Sequence, residues 1–76
     1  MRDIDKNALL RDFGKWIKNE REHLGLSQTE VGSLIGLHQT YYSRIESGER
    51  VVDRDVAIKI CKVLRLDLSD FIKTRI

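Results

Sequence analysis

A hydrophobic pair that brackets a helix start recurs four times along this chain, and this recurrence constrains the fold more than any other feature. The stretch Ser27-Gln28-Thr29-Glu30 has the form of a capping box, in which serine and glutamate side chains satisfy free amides at a helix start. Leu26 and Val31 flank it at the spacing of a hydrophobic staple. The same spacing joins three further pairs: Leu37 and Tyr42, Val52 and Ala57, and Leu66 and Phe71. Helix starts this frequent predict a set of short helices packed together.

The apolar spacing and the glycines between these starts predict an all-α domain. Five helices are expected, at about residues 6–24, 28–35, 39–47, 54–64 and 68–74. Gly25, Gly36 and Gly48 stand where the first three helices end. No stretch alternates long enough to form a strand. We therefore expect a single domain over residues 1–76, with residues 1–5 frayed.

Composition excludes several classes of protein. A chain of 76 residues makes one small domain, and its formal net charge of +2 permits nucleic-acid binding without requiring it. The single cysteine, Cys61, excludes an internal disulfide and a multi-cysteine metal site. The start of the chain is too polar for a signal peptide, and no apolar run approaches the ~20 residues of a membrane span. We expect a soluble, cytoplasmic protein without metal, cofactor or membrane contact. It has no nucleophile–base pair, paired acid site or phosphate loop, so we expect no enzyme.

The region from Leu26 to Gly48 is the most informative about function. Two short helices are separated there only by Gly36, Leu37 and His38, a turn of the length found in a helix-turn-helix. If the apolar residues of both helices are buried, the second helix keeps a polar outward face made of Gln39, Thr40, Ser43 and Arg44. Amide, hydroxyl and guanidinium groups are those that read base edges in the major groove. Gln28 and Thr29 open the first helix of the pair, where free amides favour a phosphate.

These residues carry a resemblance to a known family. The run Leu26-Ser27-Gln28-Thr29-Glu30-Val31-Gly32, followed by Gly36-Leu37 and Ser43-Arg44-Ile45-Glu46-Ser47-Gly48, resembles the Cro/phage-repressor (XRE) helix-turn-helix family. The similarity extends from about residue 13 to residue 71 and implies a five-helix, lambda-repressor-like domain. Residues 36–43 further resemble the controller proteins of restriction–modification systems.

The resemblance implies roles for individual residues. Gln28 is expected to contact a phosphate and support base contacts, and Arg50 to contact the DNA backbone. Base reading is expected of Gln39, Thr40, Ser43 and Arg44, with a salt bridge from Arg44 to Glu49 as the alternative. Arg21 is expected to form a structural ion pair with Glu46.

Several positions depart from the family pattern. His38 replaces a serine or threonine cap, which predicts a weaker cap with the imidazole as a phosphate contact. Tyr41 is not such a departure; at the edge of the reading face, it is expected either to contact the DNA backbone or to remain an idle surface ring. Arg54 replaces an apolar residue before the fourth helix, Arg65 replaces a glycine after it, and Val52 stands at a common proline site.

The predicted function is therefore a regulator that binds a pseudo-palindromic operator as a homodimer, most simply as a repressor or controller. The expected dimer surface is apolar and lies towards the C-terminus, at Val63, Leu68, Ile72 and Ile76. The alternative is a protein–protein interaction module or an antitoxin on the same scaffold. Trp16 and Leu34 map to outward positions on their helices, and if close together they would mark a contact with another protein.

Overall fold

The computed structural model of the chain describes residues 6–73, which form five α-helices and no strand. They are α1 (Lys6–His23), α2 (Gln28–Ile35), α3 (Gln39–Ser47), α4 (Arg54–Leu64) and α5 (Leu68–Lys73). The all-α, five-helix prediction is confirmed, and the bounds of α2, α3 and α4 agree with the predicted ones. The first helix ends at His23, one residue before the predicted end. The predicted fraying of residues 1–5, the predicted end of the last helix at residue 74 and Ile76 lie outside the described residues.

The helices begin and end where local side-chain chemistry satisfies the free backbone groups. The capping box of α2 is formed, since the Glu30 amide donates to Ser27 Oγ at 3.0 Å and the Ser27 amide donates to Glu30 Oε1 at 2.8 Å. His38 caps α3 through its ring, because Nδ1 accepts the Thr40 amide at 3.1 Å. The cap of α3 is therefore formed by an imidazole nitrogen, and the expectation that it is weaker than a serine or threonine cap stays a prediction. The Nδ1 that accepts carries no proton, which leaves the N–H of a neutral ring at Nε2.

The C-terminus of α4 shows the cost of a missing glycine. Arg65 adopts φ 59, and it is the one non-glycine residue with positive φ among residues 6–73. Its amide donates to carbonyl oxygens of the last turn of α4, as a C-cap glycine would. The departure from the family pattern at this position therefore leaves the helix end unchanged in geometry. It costs the chain the strain of a side chain in the left-handed region, about 1 kcal/mol.

One core holds the five helices together. α1 packs against α3 and α4, α2 packs against the same two helices, and α5 rests on α4. The buried apolar residues come from all five: Phe13, Ile17, Val31, Tyr42, Ile45, Ala57, Ile60, Cys61, Leu64 and Phe71. Cys61 lies within this core, where burial and the nearby Asp67 raise the pKa of its thiol to about 11.

The two apolar residues predicted to face outward differ. Trp16 is half-buried and packs against Phe13 and Phe71, with ring centroids 6.0 and 5.1 Å away. The prediction that it points outward was wrong, because α5 folds back over α1 and covers the indole. Leu34 is 66% exposed, as predicted. The groove beside Leu34 does not include Trp16, so the two residues do not form one shared contact surface there.

Candidate nucleic-acid interface

The turn between α2 and α3 is held in one geometry by its backbone. Gly36 has φ 76 and its amide bonds back to the last turn of α2, while the Leu37 amide donates to the Gly32 carbonyl at 2.8 Å. A Cβ on Gly32 would lie 2.8 Å from the Leu37 carbonyl oxygen and 3.8 Å from the Gln39 Cα. The mid-helix glycine therefore permits a close approach of the α2–α3 turn to α2. The two helices are joined rigidly as a result.

The outward face of α3 is polar, as predicted. Gln39, Thr40 and Arg44 are exposed, and Ser43 is half-buried at the margin of the same face. On the opposite side of the helix, Tyr42 and Ile45 are buried in the core. No salt bridge joins Arg44 to Glu49 among the described residues, so the Arg44 guanidinium is available to a ligand. The helix therefore presents amide, hydroxyl and guanidinium groups on a fixed base.

A chain of hydrogen bonds connects this face to a buried ion pair. Arg21 Nε and Nη2 donate to the two carboxylate oxygens of Glu46, at 2.6 and 3.0 Å, as the resemblance implied. Gln28 Nε2 donates to Glu46 Oε1 at 3.0 Å, and Gln39 Nε2 donates to Gln28 Oε1 at 3.1 Å. A carboxylate only accepts, so it fixes which way the Gln28 amide points, and Gln28 in turn fixes Gln39. The oxygen of Gln39 and its second N–H are left to face outward.

The ion pair fixes the positions of α1, α3 and the entry to α2 relative to one another. Arg21 and Glu46 are 8% and 5% exposed, and Arg21 Nη1 also donates to the Leu26 carbonyl at the entry to α2, at 2.7 Å. Burial raises the pKa of Glu46, but the hydrogen bonds from Arg21 and Gln28 outweigh burial and lower the pKa below its usual value. The carboxylate is therefore ionised at neutral pH, and it stays a pure acceptor for both donors.

Tyr42 lies beside this pair in the core. Its hydroxyl is buried and has no hydrogen-bond partner among the described residues. Burial is the largest cause that raises the pKa of its hydroxyl, and the adjacent Glu46 carboxylate raises it further, first as a nearby acceptor and then through its charge. The ring is completely buried in the core. Tyr42 therefore acts as a core residue, as its position in the hydrophobic staple predicted.

A glycine within α1, which was not predicted to have a role, sets the distance between α1 and α3. A Cβ on Gly14 would collide with the Glu46 carbonyl group, 2.7 Å from its carbon, and would lie 2.8 Å from the Ile45 carbonyl oxygen. These are backbone atoms and cannot move aside by a change of rotamer. The signal was available, because Gly14 sits within a long helix just as Gly32 sits within a short one. Gly14 lets α1 approach the end of α3 closely enough for Arg21 to reach Glu46.

A second contact that was not predicted lies at the other edge of the polar face of α3. The Arg50 guanidinium lies over the Tyr41 ring, 4.3 Å from its centroid, in a cation–π arrangement. Both residues line a surface pocket of about 330 Å³ together with Arg44, Glu49 and Val51. The Tyr41 ring therefore packs against the Arg50 side chain beside the polar face of α3, and its contact with the DNA backbone stays a prediction.

The remaining predicted residues are distributed over two surfaces. Thr29 and His38 are exposed, at the first turn of α2 and at the cap of α3. Of the predicted dimer residues, Leu68 and Val63 are half-buried and Ile72 is 46% exposed. In residues 6–73 no three His, Cys, Asp or Glu side chains are grouped as metal ligands, and no helix has the length and apolarity of a membrane span.

A tight turn between two short helices, with a polar face on the second, defines a helix-turn-helix protein. A family model described as "Helix-turn-helix" matches residues 17–71, and the chain belongs to this family, in its XRE-type branch. The suspected resemblance to phage repressors and Cro-like regulators is thereby confirmed.

Individual relatives narrow the comparison. The chain is 32% identical over 59 residues to the "ImmF control region 10 kDa protein" of Bacillus phage phi105, covering 78% of this chain and 66% of that protein. It is 32% identical over 54 residues to YgzD, an uncharacterized HTH-type transcriptional regulator of Bacillus subtilis (strain 168), covering 71% of this chain and 82% of that one.

Solved structures share the same architecture. The restriction-modification controller protein C.AhdI of Aeromonas hydrophila superposes with a TM-score of 0.81 at 29% identity, over 90% of this chain and 99% of that one. The clp gene regulator ClgR of Corynebacterium glutamicum has a TM-score of 0.80 at 20% identity, over 84% of this chain and 68% of that one, and shares the fold alone. The chain is thus a helix-turn-helix domain of the type found in transcriptional regulators.

Proposed function

We propose that this protein is a sequence-specific regulator of transcription that binds a pseudo-palindromic operator through α3 as a homodimer. The observation that carries the proposal is the connection from Gln39 through Gln28 to the buried Arg21–Glu46 pair. A solvated surface glutamine samples many rotamers, and ordering it costs entropy on binding. In this protein the hydrogen bond to Gln28 already orders the Gln39 side chain in the folded domain, so less entropy is lost on binding. Such ordering is expected of a side chain that reads a ligand.

The fixed orientation suits adenine. With one N–H engaged by Gln28, Gln39 still offers a carbonyl oxygen and an N–H side by side. Adenine presents an N6 donor and an N7 acceptor in the major groove, which is the complement of this pair. Arg44, exposed on the same face, suits the O6 and N7 acceptors of guanine, and the Thr40 methyl suits thymine. Ser43 completes the base-reading set at the margin.

The groups around this face suit the DNA backbone. Gln28 and Thr29 occupy the first turn of α2, where free amides and the helix dipole favour a phosphate. His38 offers its Nε2–H, and Arg50 is held beside Tyr41 in reach of the same edge. These contacts position the domain on the duplex without reading its sequence.

A homodimer follows from the small reading face. A single recognition helix contacts only a few base pairs, so two copies about 34 Å apart, one turn of DNA, supply the specificity that an operator needs. We propose the predicted surface at Val63, Leu68 and Ile72 as the dimer interface, with Ile76 as its further predicted member outside the described residues. Repression follows if the operator overlaps a promoter. We further propose that the protein acts in the cytoplasm and has no catalytic activity.

The experiment is selection of bound sequences from random duplexes, followed by affinity measurements on the selected site. We expect two half-sites related by a two-fold axis. Gln39→Ala and Arg44→Ala should each weaken binding to the selected site by about 1–3 kcal/mol and leave binding to random DNA nearly unchanged. Equal losses on both kinds of DNA would contradict their roles as base readers.

Arg50→Ala should weaken binding to every sequence and reduce the salt dependence by about one ion. Lys62→Ala, which removes the same charge from α4, is the matched control and should leave both unchanged. If no duplex is enriched, the DNA-binding proposal fails, and the rival hypothesis of a protein–protein module or antitoxin replaces it.

A further inference from the structure

A groove on the side of the domain formed by α2 and α4 takes no part in the proposed DNA contacts. Its walls are the apolar side chains of Leu34, Ile35 and Val63 with the stems of Lys59 and Lys62, and it encloses about 340 Å³. Leu34 is 66% exposed there. A single exposed leucine needs no explanation. A leucine that forms the rim of a concave apolar surface marks a place where a partner would gain by burying it.

The groove is physically separate from the reading face. Leu34 stands six residues after Gln28 in α2, which places it about 9 Å further along the helix axis and about 120° around it. Lys59 is at the middle of α4 and Lys62 is in its last turn. None of the five lining residues is a candidate DNA contact, so a partner in the groove and DNA do not compete for the same side chains. Val63 is the one lining residue that also belongs to the proposed dimer surface, so the groove borders that surface.

The charge of the groove has one sign. Lys59 and Lys62 are exposed, no carboxylate lines the groove, and neither lysine forms a salt bridge among the described residues. Two lysines beside apolar side chains are complemented by a partner that carries apolar side chains next to carboxylates. A phosphate backbone would pair with the lysines but would gain nothing from Leu34, Ile35 and Val63. The lining therefore favours a protein over a nucleic acid.

We propose that this groove is a docking site for an acidic amphipathic helix of another protein. The walls are two helices, so a third helix can lie between them with its apolar face inward, as in other helix-in-groove complexes. Apolar side chains at helical spacing on the partner helix would pack against Leu34, Ile35 and Val63. Aspartate or glutamate residues flanking them face Lys59 and Lys62. Such a partner leaves the candidate DNA-contacting residues of the domain uncovered.

The test uses a displayed library of random peptides about 15 residues long, roughly four helical turns, panned against the intact chain. We expect the selected peptides to be enriched in aspartate or glutamate and in apolar residues at helical spacing. Leu34→Ser, a surface change that leaves the fold intact, should weaken the best peptide by about tenfold or more. Lys59→Gln with Lys62→Gln should weaken it and flatten its salt dependence. Lys15→Gln with Lys18→Gln, two exposed lysines of α1, is the matched control and should have no effect.

Three results would overturn the inference. The first is a set of selected peptides without acidic enrichment, or peptides that bind the Leu34→Ser variant as well as the parent. The second is a loss of affinity for random duplexes in the Lys59 and Lys62 variant, which would assign these lysines to DNA. The third is dissociation of the dimer by Leu34→Ser in sedimentation, which would make the groove an interface between two copies of this chain. Operator binding is measured on the same variants and should stay unchanged, so failure here is distinct from failure of the proposed function.

Discussion

The ion pair between Arg21 and Glu46 is expected to be the most sensitive polar contact in the domain. The two side chains share hydrogen bonds of 2.6 and 3.0 Å, and both residues are more than 90% buried. We consider Arg21→Met, Glu46→Leu and the double variant. Each single change leaves one charge buried without its partner, whereas the double change replaces both with apolar side chains of similar length.

The expected magnitudes follow from this burial. Removing one partner of a buried pair costs about 3–5 kcal/mol, while replacing both is often near neutral. A domain of 76 residues has a free energy of unfolding of about 4–11 kcal/mol, so each single variant should lose a large share of it. The double variant should be more stable than the sum of the singles predicts, by roughly 3 kcal/mol. Arg21→Met should recover stability at acid pH, because a carboxyl can take up a proton, whereas the guanidinium left by Glu46→Leu cannot lose one.

Urea unfolding followed by tryptophan fluorescence measures these differences. Trp16 is the only tryptophan of the chain, and its contacts with Phe13 and Phe71 report on the packing of α1 against α5. For the weakest variants, an osmolyte that is excluded from the protein surface is added, because it stabilises the folded state and so makes the folded baseline measurable. The control is Glu22→Gln, which removes an exposed carboxylate 3.9 Å from Arg21 and should cost less than about 1 kcal/mol. Losses as small as the control for both single variants, or strict additivity in the double variant, would refute the reasoning.

Three further changes test the backbone and the charge of the same structure. Gly14→Ala should lower the free energy of unfolding by about 1–3 kcal/mol or more, because its Cβ would meet backbone atoms of α3; an unchanged urea midpoint would contradict the close approach. Arg65→Gly should raise Tm, since it relieves a left-handed strain of about 1 kcal/mol at φ 59; a lower Tm would show that the side chain contributes more than the strain costs. The folded-state pKa of Glu46 lies below its ordinary value of 4.5, so its contribution is complete above about pH 4.5 and is lost as the pH falls through the folded value. Acid titration of stability should therefore show a decline below that pH which is smaller in the Arg21→Met, Glu46→Leu double variant; equal declines would contradict this assignment.

The predictability of the fold differs between its elements. The bounds of α2, α3 and α4 could be predicted because capping and staple signals are local, acting between residues three to five positions apart. The end of α1 was predicted one residue late because Leu24 continues the apolar spacing, although it is 38% exposed past the helix end. The orientation of Trp16 could not be read from its own helix, because α5 covers it from more than fifty residues away in sequence.

The candidate site shows the same division. The polar face at Gln39, Thr40 and Arg44 was predictable, since burying Tyr42 and Ile45 leaves those positions outward on any helix of this register. The support of Arg50 by Tyr41 was not, because the two residues are joined across the turn that follows α3. No sequence spacing predicts the direction in which a side chain crosses such a turn.

By itself the sequence determined where α2, α3 and α4 start and which side of α3 is apolar, because caps, staples and helical spacing depend on neighbours along the chain. Only the tertiary structure decided how far Gln39 is free to move. Its amide is fixed by Gln28, and that of Gln28 by a carboxylate which an arginine of α1 holds. Such a network spans three helices and exists only after Gly14 has let α1 approach α3. Contacts of that kind depend on packing geometry, which the order of residues along a helix does not express.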